Sequence, residues 1–268
     1  MKKNETLSLE HRKYLKKIHT DKYLVWICRF LILAVIIGMW ELLAQLKIID
    51  TFIMSSPSRI AKTIKQLIEN GTLLHHVGIT LYETVIGFII ATALGTLIAV
   101  MLWWSEKLRK ILEPYIVVLN SLPKIALGPI IIVWFGTGQG SIIFMTVLIT
   151  VIVTIITMMN GFLATDKNKM LLLKSMGANK LQTFTKLVVP ASLPTFISML
   201  KINVGMAWIG SIMGEYLTSQ AGLGYLIVYG GQVFKLDLVM ASTVILCLLA
   251  AVMYFMVALL ERLVIKWE

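Results

Sequence analysis

The chain has 268 residues, of which 58% are hydrophobic and 15% charged, and its mean hydropathy is +0.84. An ordinary soluble domain is about 45–50% apolar and about 25% charged. The apolar excess is more than one globular core can bury. It excludes a soluble enzyme, a disordered chain and a secreted disulfide scaffold, and it indicates a polytopic helical membrane protein. The net charge of +11 is explained by basic loops that orient such a protein, without nucleic acid as a partner.

Residues 1–23 form a basic segment carrying Lys2, Lys3, Arg12, Lys13, Lys16, Lys17 and Lys22. The apolar run behind it is long and no small-residue cleavage site follows. It reads as an uncleaved first span rather than a signal peptide. Residues 24–268 are expected to form one transmembrane domain. Six long apolar stretches follow in order: Leu24–Leu46, Thr80–Trp103, Pro114–Phe135, Ser141–Leu163, Pro194–Thr218 and Val239–Leu260. Each is close to the ~20 residues that a bilayer demands of a helix. Runs such as SIIFMTVLITVIVTIITMM lack the alternation of barrel strands, so the expected fold is all-α with six transmembrane helices. Cys28 and Cys247 lie inside apolar runs and are expected to be buried structural thiols.

Charge sets the orientation. With the N-terminus inside, segments 1–23, 104–113, 164–193 and 261–268 carry 17 Lys and Arg, and the outside segments carry 5. The bias places both termini in the cytoplasm of a cell-membrane protein. The outer loop 47–79 has its own helical signals. Ser56 can cap a helix with Pro57 in its first position, Gly71 can end it, and Ile60, Ile64, Leu67 and Ile68 give one apolar face.

The inner loop ATDKNKMLLLKSMGANKLQTFTKLVVPASL, residues 164–193, is the most informative stretch. A short helix is expected from about Lys167 to Met176, with Gly177 allowing a left-handed turn. A second follows with Leu181, Phe184 and Val188 on one face. Pro190 is expected to stop it and Pro194 to open the next span. The resulting elbow has apolar knobs and several lysines. It suits either an interfacial loop on lipid head groups or a docking site for a cytoplasmic protein.

Polar residues within or near spans are costly and mark contacts or pathways. Asn120, Lys124, Asn203 and Glu215 are the candidates for a pathway or gate. Lys124 and Lys201 can also snorkel to an interface. The spacing Gly210-x-x-x-Gly214 permits close helix approach, and FGTGQG reads as a tight outer turn. His75-His76 are adjacent, unlike helical ligands at i and i+4, so no metal site is expected. The Gly-rich phosphate loop that ends in Lys-Ser/Thr does not occur.

The elbow SMGANKLQTFTKLVVPASLP resembles the cytoplasmic loop of ABC-importer permeases. In that family a Glu-Ala-Ala run precedes a glycine and a later Pro-x-x-x-Pro. Gly177, Ala178, Phe184, Pro190 and Pro194 fall on the matching positions. Leu171, Leu172 and Leu173 occupy the Glu-Ala-Ala positions, so the acidic residue of the pattern is missing. SLPKIALGPIIIVWFGTGQG, GEYLTSQAGLGYLI, WELLAQL, SSPSRI and the closing ERLVIKW are similar to the nitrate/sulfonate/taurine branch. The resemblance implies a type I importer permease of MetI-like fold with six transmembrane helices. It implies a second permease copy, a cytoplasmic ABC ATPase dimer that binds ATP and Mg, and an extracellular or periplasmic solute-binding protein. The chain itself would hold no cofactor and hydrolyse nothing. The solute would be a sulfonate, nitrate, taurine or a vitamin precursor. A stand-alone secondary transporter or channel is the alternative reading. A membrane enzyme is a weaker one, because no cluster of His, Asp, Glu or Cys marks a catalytic site.

Overall fold

The structure, a computed structural model, describes residues 9–264. The start of the basic segment and the last residues of ERLVIKW lie outside the described residues. The chain divides into two compact units, residues 1–63 and 64–268. Among the described residues every regular element is helical.

The first unit holds α1 (Leu9–Gln45), α2 (Thr51–Met54) and the start of α3 (Pro57–Glu69). The apolar part of α1, Tyr23–Gln45, is almost wholly exposed within the chain, with 6% of its most apolar window buried. Such a helix needs lipid or another protein around it. Its end is fastened by Glu41, whose carboxylate accepts from the Ser58 backbone N–H at 3.0 Å and the Ser58 hydroxyl at 2.9 Å. The start of α3 agrees with the expected one, with Pro57 in first position.

The second unit is built on α4 (Thr72–Trp104), α7 (Gln139–Leu163) and α10 (Val189–Thr218). Between them come α5 (Glu106–Ser121), α6 (Gly128–Phe135), α8 (Lys167–Ser175) and α9 (Lys180–Thr183). The chain closes with α11 (Leu223–Gln232) and α12 (Leu236–Val264). Among the described residues five helices are long and apolar enough to cross a membrane, and a sixth span is reached if α5 and α6 count as one.

That third span differs from the continuous helix expected over Pro114–Phe135. It starts at Glu106 and bends by 85° between Ser121 and Lys124. Pro123 is the physical reason: Leu122 before it is extended, with ψ of 137°, because a proline disfavours helical backbone in the residue it follows. A 3₁₀ turn, Lys124–Leu127, then leads into α6. Pro114, expected to open the span, sits inside α5. The segment between the last two spans is not simply a loop, since it contains α11. Cys28 and Cys247 are exposed rather than buried. In a membrane helix an apolar side chain can be covered by lipid, so position in an apolar run does not imply burial in protein.

Lipid tails are as apolar as leucine, so the hydrophobic effect does not hold these helices together; close packing and interhelical hydrogen bonds do. Glycines face threonines at the crossings. A Cβ on Gly87 would lie 2.4 Å from Thr146 Cγ2, one on Gly95 2.5 Å from Thr154 Cβ, and one on Gly210 2.5 Å from Thr146 Cα. Gly214 approaches Ile142 in the same way, 3.0 Å from its Cα. The Gly210-x-x-x-Gly214 spacing therefore serves packing within the chain. Gly210→Ala forces α10 away from the α7 backbone and should destabilise the purified protein by about 1–3 kcal/mol, the usual cost of overpacking. Gly205→Ala, where a Cβ meets nothing within 4 Å, should leave the thermal midpoint in detergent unchanged.

Candidate functional site

The elbow between α7 and α10 is the most distinctive local structure. Asp166 caps α8 by accepting from the Asn168 N–H at 2.8 Å. The helix stops because Gly177 takes φ of +82°. Its N–H then bonds Lys174 C=O, and that of Ala178 bonds Leu173 C=O, both at 3.0 Å. This is the Schellman arrangement, which satisfies the last carbonyls of a helix. Asn179 and Gln182 form a reciprocal capping box at the start of α9. Both helices fall where they were expected.

The exit from the elbow was expected differently. Pro190 does not stop the second helix, and Pro194 does not open a new one. The chain is helical without interruption from Lys180 to Thr218, with a π turn over Phe184–Val188. The Val189 N–H reaches Phe184 C=O, five residues back. This widened turn lies directly before Pro190, where the proline's missing N–H breaks the regular i to i−4 ladder. Pro194 lies half-buried within α10.

The elbow presents an apolar knob. Leu171 is 67% exposed, Leu172 60%, Met176 74% and Leu181 57%; Leu173 and Ala178 are half-buried. The knob is fastened to the helix ends behind it. The Phe184 ring lies 4.7 Å from Trp103, 6.2 Å from Trp104 and 5.6 Å from Phe162, centroid to centroid. Lys180 Nζ sits 5.6 Å and 5.5 Å from the centroids of the two tryptophan rings, and it donates to the Trp104 carbonyl. A cation is favoured there, at the C-terminus of α4.

The four pathway candidates do not converge. Asn120 and Lys124 sit at the bend of the third span, where Lys124 Nζ donates to Asn120 C=O at 3.2 Å. Asn203 is buried at the centre of the second unit. Its amide donates to Thr92 at 3.0 Å and Thr154 at 2.9 Å, so it ties α10 to α4 and α7. Lys201 does not snorkel free; it pairs with Glu261 at 2.5 Å.

Glu215 belongs to a clasp around the N-terminus of α11. The four N–H groups that open this helix all find side-chain acceptors. Gly222 donates to His76 Nδ1 at 3.0 Å, Leu223 to Thr80 Oγ1 at 2.8 Å, and Gly224 and Tyr225 to Glu215 Oε2 at 2.6 and 3.3 Å. A carboxylate is well placed at a helix N-terminus. Gly222 and Gly224 make room for it: a Cβ on Gly222 would lie 2.2 Å from Glu215 Oε2. Glu83 of α4 is buried against Glu215, and the two carboxyl groups pair with each other. Sequence reasoning missed His76, Thr80 and Glu83. Their spacing is the signal that could have found them: residues three and four apart share one helix face, and Glu83 is an acid in an otherwise apolar run.

Together these features define a multi-pass helical membrane protein with a rigid elbow projecting between two spans. The matching family model is the "Binding-protein-dependent transport system inner membrane component", over residues 85–266, and the chain belongs to this family. It is thus a permease component of a binding-protein-dependent importer. The formylaminopyrimidine transport permease protein ThiX of Halalkalibacterium halodurans is 33% identical, over 89% of this chain and 94% of the relative. The taurine transport system permease protein TauC of Escherichia coli is 23% identical over 88% of each. A solved inward-facing structure of the MetNI methionine ABC transporter matches with a TM-score of 0.65 at 20% identity. It covers 73% of this chain and 97% of that one. It shares the fold, which confirms the MetI-like type I permease architecture.

The clasp gives a direct test. Glu215→Ala leaves the amides of Gly224 and Tyr225 unpaired in a buried place, at a cost of about 1–3 kcal/mol. Amide exchange in α11 should accelerate at least about tenfold, since 1.4 kcal/mol is a factor of ten, with exchange in α7 unchanged.

Proposed function

We propose that the elbow 164–193 is the surface on which a cytoplasmic ABC ATPase docks and through which it drives transport. The observation that carries this reading is the exposed apolar knob of Leu171, Leu172, Met176 and Leu181 on a mount fixed by Phe184 and Lys180. Large side chains held in water on a rigid base suit a partner's groove. The missing acidic pattern fits the same reading. With Leu171–Leu173 there, docking rests on apolar contact and should resist salt.

In this reading both termini and the elbow face the cytoplasm, as the basic bias favours. Two copies of the chain form the pathway, a closed two-fold being the commonest assembly. ATP and Mg are bound by the paired ATPase and not by this chain, which acts as a transport subunit and not as an enzyme. A binding protein delivers the solute from the other side. The named solutes of the relatives, taurine and formylaminopyrimidine, support a small polar metabolite as the solute. When the ATPase pair closes, each elbow moves as a body, and α7 and α10 rock with it.

Gly177→Val tests the coupling. Nothing lies within 4 Å of a Cβ at Gly177, so the substitution adds only backbone strain, about 1–2 kcal/mol, and leaves membrane insertion intact. Solute uptake and ATPase stimulation in reconstituted vesicles should both fall at least tenfold with assembly retained. Normal values for both would remove the elbow from the mechanism. Orientation is tested by labelling intact cells carrying Thr72→Cys or Asn179→Cys with an impermeant thiol reagent. Only the first should react from outside.

A further inference from the structure

The first turn of α11 hangs between two helices. Gly222 and Leu223 donate to His76 and Thr80 of α4, while Gly224 and Tyr225 donate to Glu215 of α10. Any parting of α4 from α10 at this end therefore strips the caps from one half of the turn or the other. One contact bridges the two anchors directly: the carboxyl groups of Glu83 on α4 and Glu215 on α10, which pair with each other. Glu83 is 0% exposed and Glu215 1%, so water neither separates nor screens them.

Two carboxylates have no hydrogen to share, and at contact they repel. The pair holds together only with a proton in it. The caps decide which member carries that proton. Glu215 accepts two backbone N–H groups at the positive end of α11, which suits a carboxylate, whereas Glu83 makes no bond to a backbone N–H. Glu83 is then the acid and donates to Glu215. Among the described residues no Lys or Arg acts on either carboxyl group, so no cation stands in for the proton.

We propose that Glu83 and Glu215 form a proton-binding site that latches α4 to α10 and holds the first turn of α11 between them. With the proton bound, a hydrogen bond joins the two helices. Without it, two buried like charges face each other from separate helices. Moving those helices apart relieves the repulsion and uncaps α11. The latch is closed at neutral pH and opens as pH rises. Four other titratable groups face the clasp: His76 of α4 with its neighbour His75, Tyr216 of α10, and Tyr225 of α11. His76 accepts through Nδ1 and loses that role when Nδ1 takes a proton, so the histidines act on the acid side. The tyrosines are the competitors in alkali, and a substitution at Glu83 leaves both in place. Helices α6 and α7 contain no titratable residue. In the orientation proposed above this end faces outside, so the latch reads the outer pH; its chemistry does not depend on that orientation.

The test uses the full-length permease in lipid nanodiscs. At neutral pH its infrared spectrum should contain the C=O stretch of a protonated carboxylic acid. That band should vanish in alkali, and in Glu83→Gln at every pH. Exchange of the α11 amides, corrected for the intrinsic rate, should accelerate at least about tenfold between neutral and alkaline buffer, the factor of one pK unit of coupling, with α7 unchanged. In Glu83→Gln an amide N–H replaces the shared proton, so α11 should stay protected across the same range although both tyrosines remain. Glu215→Gln, whose amide donates back to Glu83, serves where Glu83→Gln does not fold, and it should also remove both the band and the pH dependence. A wild-type spectrum without the band, α11 exchange independent of pH in the wild type, or an alkaline acceleration that persists in the Gln variant overturns the assignment. A contact that is structural only, with no titrating proton, gives the second of these outcomes. None of them bears on the importer reading, which fails separately if no ATPase co-purifies with the permease.

Discussion

Thr146 stands between two glycines. Gly87 of α4 meets its side chain and Gly210 of α10 meets its backbone, each at a distance that leaves no space for a Cβ. Gly95 against Thr154 and Gly161 against Thr195 repeat the arrangement along α7. In a bilayer, where apolar surface gains little by leaving lipid for protein, such contact between backbones is what holds helices together. Threonine suits it twice over. Its methyl fills the shallow groove left by glycine, and its hydroxyl turns back to its own helix, as Thr146 bonds Ile142 C=O at 2.9 Å and Thr154 bonds Thr150 C=O at 2.9 Å. The three-helix stack depends on this seam, and both the elbow and the clasp are mounted on it.

The polar contacts across the stack are few and placed at its middle and one end. Asn203 joins three helices by one amide, and Thr84 and Ser211 share a hydrogen bond of 2.7 Å. Interhelical hydrogen bonds in membrane proteins contribute about 0.6 kcal/mol on average. Their value here is in register: a buried amide that finds its partners in one alignment only penalises every slip of α10 along α7.

Much of this was legible in the sequence. Apolar runs gave the long helices, since a bilayer imposes length directly. Gly177 and Ser56 marked a local turn and a cap, whose chemistry is contained in a few neighbouring residues. Two kinds of feature were not legible. The prolines misled because their effect depends on the ladder around them: Pro123 breaks a span, while Pro190, behind a π turn, does not. The clasp was hidden because its parts lie about 140 residues apart in the chain, His76 and Thr80 on one helix and Gly222 and Leu223 at the start of another. Glu215 was visible as an anomaly, but its role as a helix cap depends on a helix that apolar run length did not reveal.

The fastening of Lys180 and Phe184 to the last residues of α4 has a mechanical meaning. Helix α4 has 33 residues and so extends for about 50 Å. One end carries Trp103 and Trp104 against the elbow; the other carries His76 and Thr80 against α11. The helix is therefore a strut with a joint at each end. Under the docking reading proposed above, motion at the elbow would reach the far face through the stiffness of a single rod, without a relay of side chains through the core. The rod is unbroken between its joints: among its residues there is no proline to act as an internal hinge. Any displacement imposed at the elbow end of the rod would have to be accommodated or resisted where it meets α11.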